Sequence, residues 1–150
     1  MGGMQTILAL LAVTLFSTLT LGSYNSLASQ GDIVYASYLN LLGQGHAEAF
    51  FEKLNCTFLA DRTYTVDRLY NDYRNINYTA TIPDLTTGNT FVTFNRRIYS
   101  NYCNKDGSTS ATPTNYVKIS LYMTTTWGNR TVYVGTLSNP LVRIYTSSGL

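Results

Sequence analysis

The stretch MGGMQTILALLAVTLFSTLTLGSYNSLASQG, Met1 to Gly31, contains no Asp, Glu, Lys or Arg; the first charge in the chain is Asp32. From Ile7 to Leu21 it is almost wholly apolar, interrupted only by Thr14, Ser17, Thr18 and Thr20. Such a segment belongs in a membrane, in a protein core, or to a part that is removed. Three readings compete. A secretory signal peptide is one, with Ser26-Leu27-Ala28 supplying small residues of the cleavage type, although Met1 to Gln5 lacks the usual basic start. A permanent membrane anchor is the second. The third is an assembly stalk that rests in the membrane first and in a bundle of like helices afterwards.

Beyond Gly31 the helical pattern continues but becomes amphipathic. Val34, Tyr38, Leu41, Gly45 and Ala49 recur at three- and four-residue spacing, widened by Leu42 and Phe50, which predicts a helix with one apolar face. Continued to Leu54 it would be roughly 75–80 Å long. A domain built from the remaining residues cannot cover such a rod, so its first half needs lipid or other helices around it. Gly22 weakens the helix by about 1 kcal/mol relative to Ala, as a tolerated kink or as a segment that unwinds. Gly43 and Gly45 permit close approach to a sheet or are weak spots.

The rest reads as antiparallel sheet, making the fold class α+β with a sheet of about four strands. Val117, Ile119, Leu121 and Met123 alternate with Lys118, Ser120, Tyr122 and Thr124, the pattern of a sheet with one buried face. Gly128-Asn129 supplies a turn into Thr131–Val134, forming a hairpin. Further strands are predicted at Tyr64–Tyr70 and Phe91–Tyr99, and at Leu141–Tyr145, where Pro140 suits an edge. The boundary between stalk and sheet domain is placed at 54/55.

The start of the chain resembles the type IV pilins and pseudopilins. Those proteins have a mature apolar helix with a glutamate where this chain has Gln5. Many carry a proline where Gly22 stands, followed shortly by tyrosine, as Tyr24 does here. Leu21-Gly22-Ser23-Tyr24-Asn25 is similar, in register, to the family's Leu-Pro-Ala-Tyr-Gln. The resemblance is close over about the first 30 residues and architectural thereafter. It implies a filament subunit with Met1 as the mature, methylated N-terminus; cleavage after Gly3, exposing Met4, is the other possibility. It implies as partners further copies of the chain, a prepilin peptidase, an assembly platform and the inner membrane before assembly, with a cell-surface filament as the destination. Met1, Gln5, Gly22 and Tyr24 become the candidate assembly residues. Gln5 lacks the charge that pairs with a neighbour's N-terminal amine in the family. Axial register would then depend more on apolar packing. Major pilin, minor pilin and secretion pseudopilin all fit the resemblance.

Other functions find little footing. Charged residues make up only 12% of the chain and the net charge is +2, with no basic cluster suited to nucleic acid. Thirteen tyrosines and many threonines instead favour strands. His46, the lone histidine, is placed on the polar side of the helix and has no companion for metal or nucleophilic chemistry. No phosphate loop or calcium loop occurs, and neither an enzyme nor a cofactor is expected. Cys56 and Cys103 lack metal-ligand spacing, and in an exported protein they most simply form one disulfide; two buried thiols are the alternative. Asp61-Arg62, Asp67-Arg68 and Asp72 with Arg74 read as charge pairs along an exposed edge. Asn55-Cys56-Thr57, Asn77-Tyr78-Thr79 and Asn129-Arg130-Thr131 match the N-glycosylation acceptor, though sugar on Ser or Thr is as plausible. The competing function is a secreted or anchored β-rich binding module with residues 1–28 as its address.

Overall fold

The computed structural model describes residues 2–61, 63–83 and 87–146. Helix α1 runs from Gly2 to Ala60 and is followed by a short helix, α2 (Val66–Asp72). Five strands follow among the described residues: β1 (Ile76–Pro83), β2 (Thr90–Tyr102), β3 (Tyr116–Trp127), β4 (Arg130–Val134) and β5 (Leu141–Thr146). The class is α+β, as the hydrophobic periodicities imply. The chain divides into two units, the first ending at Tyr38 and the second beginning at Leu39.

Within the second unit all strand pairings are antiparallel, in the order β1-β2-β3-β4, with β5 also paired to β3. β3 is the centre of the sheet. One of its edges carries β2, and the other is shared lengthwise by β5, opposite Tyr116–Leu121, and β4, opposite Met123–Trp127. The alternation read from the sequence is observed: Val117, Ile119, Leu121 and Met123 are fully buried. Val92, Phe94 and Ile98 of β2 join them on the same face, as do Val132 and Val134 of β4. The two-residue turn Gly128-Asn129 closes the expected hairpin, with Trp127 opposite Arg130. Gly128 holds φ +55° and Asn129 does not share the positive φ, the arrangement of a type II′ turn with Gly first.

The helical face that covers this core differs from the predicted stripe. Leu39, Gly43, Ala47, Phe51 and Leu54 are buried against the sheet, whereas Val34, Tyr38, Leu41, Gly45 and Ala49 are exposed. Both sets recur every three to four residues, and only one meets the sheet. At Gly43 an added Cβ would overlap Val134 Cγ2 and come within 3.1 Å of Phe94 Cε1, so the backbone itself packs on the sheet there. Gly45 faces open space. Asn40 Nδ2 donates to the Tyr133 carbonyl at 2.7 Å, and Arg143 pairs with Glu48 at 3.0 Å, tying α1 to β4 and β5.

Two further expectations are corrected. α1 ends at Ala60 rather than Leu54, and Tyr64–Tyr70 is not a strand. Thr65 caps α2 by accepting from the Arg68 N–H, Asp67 lies in the first turn, and Val66 and Leu69 are buried three residues apart. Those start signals outweigh the β-forming side chains around them. The sheet gains instead β1, with Asn75 at φ +52° turning the chain into it, a conformation that Asn tolerates.

Candidate assembly surface

The first unit is helical throughout its described length, including Gly22, where nothing lies within 4 Å of an added Cβ. Its apolar side chains face outward on every side. From Met4 to Leu27 the large aliphatic, Met and Phe side chains are between 53% (Leu11) and 74% (Met4) exposed. Ile7, Leu8, Leu10, Leu11 and Val13 fall at positions that encircle a helix with 3.6 residues per turn. Burying such side chains is worth about 1.5–3 kcal/mol each. Leaving the set in water withholds a sum comparable with the net stability of a whole domain, about 5–15 kcal/mol.

The hydroxyl groups of Thr14, Thr18, Thr20 and Ser37 are bonded back to the helix. Thr14 Oγ1 donates to the Leu10 and Leu11 carbonyls at 3.0 and 2.9 Å. Thr18 bonds the Leu15 carbonyl at 2.9 Å, Thr20 that of Phe16 at 2.8 Å, and Ser37 that of Ile33 at 2.9 Å. Hydroxyl groups returned to the helix in this way can enter an apolar medium without an unpaired donor. By length and composition α1 is also able to cross a membrane.

Of the candidate assembly residues, Gln5, Gly22 and Tyr24 lie on this exposed segment, Tyr24 being 71% exposed. Met1 lies outside the described residues. The expected Cys56–Cys103 bridge is not formed; both cysteines are free, Cys56 exposed and Cys103 buried. Cys56 follows the buried Leu54 by two residues and so points away from the packed face of α1. Cys103 is fully enclosed at the end of β2, bridged through its backbone to Thr109, and burial pushes its thiol pKa up.

His46 is half-buried rather than on a fully solvated side. The acid–base pairs are also rearranged. Arg62 lies outside the described residues; Asp67 accepts from the Tyr102 hydroxyl at 2.8 Å; Asp72 accepts from Tyr64 at 2.7 Å and lies 3.8 Å from Arg68. They serve α2 and its contacts rather than a strand edge. Burial and the Asp67 carboxylate together push the Tyr102 hydroxyl up to about 12.

The sequence reading missed one buried cation, Arg96, whose inward position on β2 follows from its parity with Phe94 and Ile98. Its guanidinium lies over the rings of Tyr78 (4.8 Å) and Phe50 (5.4 Å) and donates to the Tyr78 hydroxyl. Among the described residues its Nε has no hydrogen-bond partner.

The sheet's other face is polar and aromatic. Tyr99 and Tyr122 stack at 6.0 Å, and Arg97 donates to the Tyr122 hydroxyl at 3.3 Å. Hydrogen bonds from Tyr122 and Arg97 pull the Tyr99 hydroxyl down. Asn77, Thr79, Asn95 and Thr124 surround a shallow hollow of about 380 Å³ there. Among the described residues, no group of three or more His, Cys, Asp or Glu side chains is placed to hold a metal. No protein-family model, curated protein or solved structure matches the chain.

Proposed function

We propose that the chain is a structural subunit of an extracellular type IV pilus-like filament, polymerising through the apolar part of α1. The observation that carries this reading is the all-round exposure of apolar side chains from Met4 to Leu27, together with hydroxyl groups bonded back to the same helix. A lone membrane anchor would also hide those side chains. The filament reading gains support from the resemblance around Gln5 and Leu21–Asn25.

Before assembly the apolar segment rests in the inner membrane, after processing by a prepilin peptidase. During assembly it leaves lipid for a bundle of identical helices, guided by an assembly platform, so its apolar contacts change partner but not character. The second unit presents its Tyr/Thr/Asn-rich sheet face outward. A major subunit is favoured over a minor pilin or a secretion pseudopilin. Leu15→Lys is the direct test, because it places a charge in the middle of the apolar stretch. Filaments should be lost while the β-rich unit stays folded. Normal filament yield from the Leu15→Lys chain would refute the reading.

A further inference from the structure

The three Asn-X-Thr triplets are treated very differently by the fold. Asn55 lies in the last turns of α1, half-buried, lining a groove with Phe58, Leu59 and Tyr145. Asn77 is held in the β1–β2 ladder opposite Arg97. Asn129 sits at the tip of the β3–β4 hairpin, exposed together with Gly128 and Arg130. A transferase has to reach both the acceptor amide and the hydroxyl two residues later, so the acceptor backbone must project from the fold, as a surface loop does. Asn129 meets that condition in the two-residue turn, and Thr131, at the right spacing, is exposed at the start of β4 opposite Thr126. Asn55 is fixed in a regular helix and does not.

A second feature points to the same place. Trp127, the chain's one tryptophan, begins the turn two residues before Asn129 and is 44% exposed at a hairpin tip. A large amphipathic ring in contact with water at that position offers a surface on which the C–H face of a first sugar residue can lie. With charged residues at only 12% of the chain, a bulky hydrophilic group there would also add solubility.

We propose that Asn129 is a site of N-linked glycosylation, with a sugar carried on a lipid phosphate or diphosphate as the donor. In the transfer, Asn129 Nδ2 forms a bond to the anomeric carbon. The bond from that carbon to the phosphate oxygen breaks, the lipid phosphate leaves with the electron pair, and the amide nitrogen gives up one proton. No oxidation or reduction is involved. The modification requires export of the hairpin across the membrane but not polymerisation, so it goes beyond the filament reading.

The test is mass spectrometry of the intact chain and its peptides, purified from the cells that naturally make it, alongside variants expressed in those cells. The peptide containing Trp127–Thr131 should carry sugar on Asn129, and the one containing Asn55 should not. Asn129→Gln and Thr131→Val should each lower the intact mass by the mass of that glycan, whereas Thr131→Ser should retain it. A structural role for Thr131 would not separate Ser from Val in this way. An unmodified Asn129 in chain recovered from the cell surface overturns the proposal, as does a modification that survives Thr131→Val. Filaments with bare Asn129 would contradict this site alone; glycosylated chain that never polymerises would contradict the filament reading alone.

Discussion

At Gly43 the α1 backbone meets the side chains of Val134 and Phe94 directly, so this residue sets how near the helix lies to the sheet. Gly45, one half-turn away, faces open space. The pair therefore separates packing from helix propensity. Gly43→Val should destabilise the second unit by about 1–3 kcal/mol through overpacking, whereas Gly45→Ala should stabilise it by up to about 1 kcal/mol. Urea unfolding of both variants checks the signs. Tyr145 offers a different handle. Its hydroxyl is buried and has no hydrogen-bond partner among the described residues. Burial pushes its pKa up to about 12, against an opposing pull from Arg143. Because the folded value lies above the unfolded one of about 10, the neutral ring's contribution is complete below about pH 10. It is lost as pH rises toward about 12. Tyr145→Phe should flatten that part of the alkaline unfolding profile and leave neutral-pH stability equal or higher, since an unpaired buried hydroxyl is removed. A steeper alkaline loss in the variant would contradict this account of Tyr145.

The elements differ in how openly the sequence displays them. β3 and β4 were legible because strict alternation continues through Val117–Met123 and Val132–Val134, with Gly128-Asn129 between them. α2 was not. Tyr64, Thr65, Val66 and Tyr70 are all strand-favouring side chains, and the helix is decided by the Thr65 cap and by the burial of Val66 and Leu69. Thr65→Ala should cost about 1 kcal/mol and Thr65→Asp should restore it, as read by thermal unfolding. Equal stability of Thr65→Ala and the parent would mean that packing alone holds α2. The packed face of α1 was misread for a related reason. Between Ile33 and Leu42 apolar residues occur on more than one side of the helix, so periodicity offers two stripes. The sheet takes Leu39, while Val34 and Leu41 stay exposed. Arg96 escaped notice because a charged side chain at a buried sheet position is sustained by the rings of Phe50 and Tyr78, which lie far away in sequence.

For the molecule as a whole, the division at Asp32 between charge-free and charged sequence was plain from the first residues, and it marks the end of the segment we assign to assembly. The free cysteines were not foreseeable, because whether Cys56 faces Cys103 depends on which side of α1 meets the sheet. The central claim is that the apolar side chains of Met4–Leu27 are covered by other copies of the same helix. Electron cryomicroscopy of filaments isolated from the surface of cells that make this chain measures that directly. The filaments should be helical polymers in which residues 4–27 form a central bundle, each α1 contacting neighbouring copies, with the sheets outermost. Cell-surface or secreted material consisting only of monomers whose sequence begins at Ser29 would contradict it.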